Sequence, residues 1–274
     1  MTRQDGSISF YFFDFDDNSM FLDTPVFLRN AKTGEEKAVS THEFATVRNE
    51  LGKPGEWEDF EYYEKTYSHF RDIAPENLRP GQEQYFVQDI KKALEQPKEV
   101  WQAPAWPLLQ YACAKQRPVS FITARGHSRD TIRQGVKALV DAGELDCEPN
   151  YLDIYAVSHP GMVEELLKDL SDEESDLIEN MKDRTSALKR IAIHKIVDKA
   201  LQKHGDKPAH RFGMSDDDPE NIDLIVKAMC DCKKKYLDKR FFVINTHHGE
   251  HVKLEVFPID FPVTREADSD ETIG

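Results

Sequence analysis

The chain has 274 residues, and its 51 Asp and Glu outnumber its 36 Lys and Arg to give a formal net charge of −15. That balance argues against a nucleic-acid partner, which needs a basic surface to displace counterions, and it repels any anionic ligand unless a cation and a few basic side chains reverse the field locally. No apolar run is long enough for a membrane span, Met1 to Gly6 carry no apolar leader, and the four cysteines read as reduced thiols, so a cytoplasmic protein without a membrane partner is expected.

In chain order, the first element is the near-continuous apolar run Ile8 to Phe13, which predicts a strand buried on both faces, the kind found inside a parallel sheet. It ends in Asp14, Asp16, Asp17 and Asn18. A cluster of this kind alone is what a turn uses. At the carboxyl end of a strand in an open α/β sheet, however, it stands where ligands bind. Met20 to Arg29, a turn at Ala31 to Gly34 and Glu36 to Val39 predict a hairpin outside the sheet rim, followed by a capping box at Ser40 to Glu43 and a short helix ending at Gly52. Residues 57–107 are irregular and rich in aromatics, and 40–107 read as one mostly helical insertion, with a small core of its own.

Pro118 to Ile122 predicts a second strand, closed by Thr123, Arg125, Gly126 and His127, with a helix from Arg129 to Ala142 behind it. Arg125 and His127 are candidates for substrate contact or for capping the local turn. A third strand is expected over Tyr151 to Val157, a helix at about 161–170, and another behind the capping box Ser171 to Glu174. The helix from about 186 to 204 carries an apolar stripe whose centre lies near Lys189, with Lys195 at its border. A lysine pointing along a buried face requires an anion. His210 to Met214 predicts a fourth strand ending in Ser215, Asp216, Asp217 and Asp218, and Phe241 to Thr246 a fifth. His247, His248 and His251 surround Gly249, which predicts a tight hairpin leading to Val252 to Phe257, and they read as a solvated turn rather than a metal site. The acidic stretch 261–274 is expected to be disordered.

The order Asp14-Phe-Asp16, a hydroxyl at Thr123 closing a second strand, a helical lysine, then Gly213-Met-Ser-Asp216-Asp217 resembles the four-motif signature of the haloacid dehalogenase superfamily of Mg²⁺-dependent phosphohydrolases. Asp17-Asn18 stand where the superfamily commonly has Gly-Thr. The resemblance implies an α/β fold: a Rossmann-like, parallel five-stranded sheet with helices on both faces, formed by residues 1–39 and 108–260, with a hairpin flap and a cap inserted at 40–107. It implies Asp14 as nucleophile, Asp16 as general acid and base, Thr123 and a lysine as phosphoryl contacts, and Mg²⁺ held by Asp14, Asp16 and Asp216 with Asp217 nearby. That lysine is either Lys189 or Lys195; Arg125 and Lys195 stand as further substrate contacts. The expected activity is hydrolysis of a small phosphorylated substrate through an aspartyl-phosphate, with a non-catalytic module binding a phosphorylated partner, or a nucleic-acid end phosphatase, as the alternatives.

Overall fold

The computed structural model describes residues 6–171, 173, 175, 178, 184–207, 209–249, 251–257 and 264–266. The strand β1 (Ser9–Phe13) is followed by β2 (Val26–Asn30), β3 (Glu36–Val39), α1 (Thr41–Val47) and β4 (Phe60–Glu61). Next come α2 (Tyr85–Leu94), α3 (Lys98–Trp101), α4 (Trp106–Ala114), β5 (Pro118–Thr123), α5 (Arg129–Asp141), β6 (Asn150–Ala156) and α6 (Pro160–Leu167). The chain continues with α7 (Arg184–His204), β7 (Arg211–Asp216), α8 (Pro219–Lys235), β8 (Arg240–Asn245), β9 (Val252–Val256) and β10 (Thr264–Glu266). The helix predicted behind Ser171 lies outside the described residues.

Every residue of β1 is buried, and the strand pairs in parallel with β5 on one side and β7 on the other. Successive side chains of a strand face opposite ways. Phe10 and Phe12 therefore enter the core beneath α6, α7 and α8, while Tyr11 and Phe13 enter the core formed with α2, α4 and α5. This division of one strand between two cores is why its sequence is apolar at nearly every position.

The sheet runs β10-β9-β8-β7-β1-β5-β6. Five strands, β6, β5, β1, β7 and β8, are parallel, as the sequence predicted. The sheet does not stop there. β9 adds a sixth strand antiparallel to β8, and the short β10 continues the edge. The connection after β8 is a single 3₁₀ turn, His247–Gly249, too short for the crossover that a parallel neighbour needs, so the chain folds back. The expectation of disorder beyond residue 260 is corrected at Thr264–Glu266, which pair with Leu254 to Val256. From β1 the chain moves outward to β5 and β6, then returns to the other side of β1 for β7 and β8. The order reverses between β1 and β7, which opens a crevice at their carboxyl ends.

The hairpin predicted at 20–39 is present as β2 and β3, with Gly34 at φ 76° in its turn, and the capping box of Ser40 and Glu43 opens α1. The stretch 40–107 is not a single insertion. Its first part adds β4 to the hairpin and closes a small core of Val26, Leu28, Val39, Val47 and Phe60. Its second part covers the main sheet: α2 lies on α5 and places Phe86 against Phe15 at 4.9 Å. The boundary was illegible because the aromatic residues on either side of it look alike in sequence yet pack into different cores.

Gly135 in α5 is the contact point with α2, since a Cβ there would stand 2.4 Å from the Phe86 ring. Replacing an exposed helical glycine with alanine normally stabilises by about 1 kcal/mol. At Gly135→Ala the sign reverses, with an expected loss of about 1 to 3 kcal/mol from overpacking, measurable by urea unfolding.

Candidate functional site

Asp14 follows β1 directly, and its N–H donates to Ser215 O at 3.0 Å, so the pairing of β1 with β7 extends to the carboxylate itself. The loop beyond it is fixed by Asn18, which is completely buried. Its Nδ2 donates to Asp14 O at 2.8 Å and to Ser215 Oγ at 3.0 Å, and its Oδ1 accepts from Thr246 Oγ1 at 2.9 Å. Ser19 Oγ also donates to Asp14 O, at 2.8 Å. Asn18 thus ties together the ends of β1, β7 and β8. Sequence reading had noted it only as a departure from a pattern; a buried amide next to a strand end was the signal that it holds neighbouring strands.

Lys189 reaches this point from α7. It lies on the buried face predicted for it, and its Nζ donates to Asp14 Oδ1 at 3.2 Å and to Asp216 Oδ2 at 3.0 Å. Burial disfavours its charge, but the two carboxylates outweigh that and raise its pKa. Asp216, at the end of β7, accepts at Oδ1 from Asp218 N and Asn221 Nδ2, both at 3.1 Å. Asp217 follows it. Carboxylate oxygens of Asp14, Asp216 and Asp217 lie within 4.8 Å of one another. The pKa of Asp14 is well above its ordinary value because burial, and then Asp216 and Asp217, outweigh Lys189. Burial, then Asp216 and Asp17, push Asp217 up to about 8. A single lysine facing three crowded carboxylates leaves negative charge uncompensated, and an all-oxygen donor set suits a hard cation.

The two candidate lysines are separated by this geometry. Lys195 pairs with Asp169 at 2.5 Å and contacts the Glu165 carbonyl, so it is engaged with the α6 side of the fold and does not line the crevice. Arg125 is where a site residue was expected, but its partner is Asp16. Its Nε and one terminal nitrogen donate to the two Asp16 oxygens at 2.8 and 2.6 Å, and the same terminal nitrogen donates to Thr24 Oγ1 at 2.8 Å, which in turn donates to Asp89 at 2.6 Å. The guanidinium is flanked by the rings of Phe70 and Phe86, each 4.8 Å from it. Thr123 is buried at the end of β5, and its hydroxyl accepts from Arg125 N at 3.3 Å.

His127 is not at the site. It is buried beside Phe86, neither ring nitrogen has a partner among the described residues, and burial, then the Arg125 and His159 charges, lower its pKa to about 2. Of the histidine turn, His247 stands near the crevice, with Nδ1 2.9 Å from Asp217 O. Among the described residues the one group of potential metal ligands is the aspartate trio, which contains no histidine.

These residues border a cleft of about 440 Å³ with Asp14, Asp16, Thr123, Lys189 and Asp217 on one side. The opposite side is the insertion, with Phe44, Arg48, Tyr67, Phe70 and Arg71. A neighbouring hollow of about 480 Å³ touches it at Asp17 and Thr41 but contains neither Asp14 nor Lys189. Comparison of the chain with protein-family models, curated proteins and solved structures returned no match. No helix among the described residues is long and apolar enough to cross a membrane.

The raised pKa values fix a sign. Between its ordinary value of 3.8 and about 8, folded Asp217 holds a proton that the unfolded chain has lost. Stability contributed by that proton therefore falls as pH rises through this window. In chelator the melting temperature is expected to drop from about pH 5 to about pH 8. A divalent cation that replaces the proton is expected to raise it more at the alkaline end, as read by calorimetry with and without the cation.

Proposed function

We propose that the protein is a Mg²⁺-dependent phosphomonoester hydrolase that works through an aspartyl-phosphate on a Rossmann-like fold. The observation that carries this reading is the convergence of Asp14, Asp216, Asp217 and Lys189 from β1, β7 and α7 at the point where strand order reverses, with Thr123 of β5 on the same cleft. The four motifs are far apart in sequence, and their meeting at one crevice is what the resemblance requires.

The aspartate trio fits a hard divalent cation by its donors and its unbalanced charge, and Mg²⁺ held there would neutralise phosphoryl oxygens and favour ionised carboxylates. Asp14 is then placed to attack phosphorus in line, forming a bond from its carboxylate oxygen to phosphorus as the ester oxygen leaves. Asp16 gives its proton to that leaving oxygen. In the second half, water attacks the same phosphorus, Asp16 takes the water's proton, and the bond to Asp14 breaks to release phosphate. Lys189 holds Asp14 and Asp216 in position and supplies positive charge beside the transferred group.

The grip of Arg125 on Asp16 has a mechanistic consequence. Both Asp16 oxygens accept from Arg125, so Asp16 is freed to reach the leaving oxygen only when Arg125 turns toward the incoming phosphoryl oxygens. Substrate binding and release of Asp16 are therefore one event.

Asp14→Asn is expected to reduce Mg²⁺-dependent release of phosphate by at least about a thousand-fold, with the circular dichroism spectrum unchanged; retention of wild-type turnover would remove the nucleophile from this account. Asp16→Asn is expected to slow alkyl phosphates far more than an aryl phosphate with an activated leaving group, because only the former need a proton. Equal losses for both would argue against an acid at this position.

A further inference from the structure

The far wall of the cleft has properties that the chemistry of phosphoryl transfer does not explain. Phe44, Tyr67 and Phe70 line it, and Tyr67 remains 39% exposed although its ring lies 6.0 Å from Phe44 and 6.3 Å from the stacked Tyr62, itself 51% exposed. Phe44 and Phe70 also pack against the small core of the hairpin, whereas Tyr67 keeps more than a third of its surface open on the cleft. Arg48 and Arg71 line the same wall, both exposed. Among the described residues neither Arg48 nor Arg71 has a carboxylate in ion-pair range; Arg79 and Arg133 share that condition, but it is Arg48 and Arg71 that line the cleft, whereas Arg125 there is paired with Asp16. In a chain with a surplus of 15 negative charges, two such guanidinium groups on the cleft that carries Asp14, Asp16 and Asp217 supply local positive charge.

The wall is also held at fixed distance from the floor. Gly126 N donates to Phe70 O at 2.8 Å, Arg71 and Gly126 form a backbone bridge, and Ser128 N donates to Asp72 Oδ2 at 3.0 Å. Rings, arginines and Asp14 thus line one cleft of about 440 Å³, a volume in the range of small-molecule sites.

Resting on the phosphohydrolase reading, we propose that the substrate is a mononucleotide, with its base stacked on the half-open ring of Tyr67, which Phe44 supports edge-on at 87°, and its phosphate drawn to Asp14 between Arg48, Arg71 and Lys189. An aromatic platform beside unpaired arginines is the combination that binds a planar base and a phosphate together. A sugar phosphate uses the arginines but leaves the rings without a partner.

The test compares adenosine 5′-monophosphate with ribose 5-phosphate, which carry the same phosphoester and differ by the base. With Mg²⁺, kcat/KM for the nucleotide is expected to exceed that for the sugar phosphate by about ten-fold or more, mostly through KM. In Tyr67→Leu that ratio is expected to collapse toward one. Calorimetric titration of Asp14→Asn with both compounds reads the same preference without turnover, and so separates this inference from the hydrolytic one. Equal kcat/KM values in the wild-type protein overturn the substrate class while leaving the hydrolase intact. Equal or absent binding to Asp14→Asn overturns it too, and a preference for a 5′-phosphorylated oligonucleotide over the mononucleotide does so in favour of a nucleic-acid end.

Discussion

Electrostatic crowding at the carboxyl ends of β1 and β7 is the constraint on which the rest of this molecule depends. Asp14, Asp216 and Asp217 are brought close together in a place from which water is largely removed, and among the described residues Lys189 alone forms an ion pair with them. Buried like charges are tolerated when a counter-charge and hydrogen bonds hold them. Lys189 provides the first from a helix whose other buried residues, Ser186 apart, are apolar, and the N–H of Asp218 and the amide of Asn221 provide the second. The sheet makes this possible, because a reversal of strand order leaves a gap between two parallel strand ends without a crossover helix above it.

The balance of polar contacts around this gap is uneven in an informative way. Asp216 is fully engaged, Asp14 and Asp217 are held by fewer partners and keep their protons more readily, and Asp16 is locked to a guanidinium that is itself clasped between two rings. The structural load is carried by Asn18, Ser19 and Lys189, which leaves the carboxylates of Asp14 and Asp217 free to meet a cation or a substrate. Rigidity in the backbone and unsatisfied charge at its tip are what a preorganised catalytic site needs.

Much of this was written in the sequence. β1 was legible because a strand between two cores must be apolar at every position, and α7 because its stripe has helical period with a lysine at its centre. The cluster of Asp14, Asp216 and Asp217 could be anticipated because each sits at a strand end. What was not legible depends on pairing across distance. The bond of Arg125 to Asp16 joins residues 109 positions apart, and nothing local marks it. The return of the chain after β8 was legible from Gly249, which marks a tight hairpin into β9, whereas the pairing of β10 with β9 was not. The division of 40–107 between two cores was hidden because a ring is apolar in either one.

Gly126 joins the loop after β5 to the segment around Phe70 through its backbone, and a Cβ at that position would come within 3.1 Å of Ser158 O and 3.3 Å of Arg71 Cγ. A cap stitched on in this manner does not swing as a hinged lid without breaking main-chain hydrogen bonds. The aperture over the aspartates is therefore a property of the folded chain, set before any ligand arrives. The side chains at its rim, Arg48, Tyr67 and Arg71, can then be exchanged one at a time while the aspartates and Lys189 beneath keep their places.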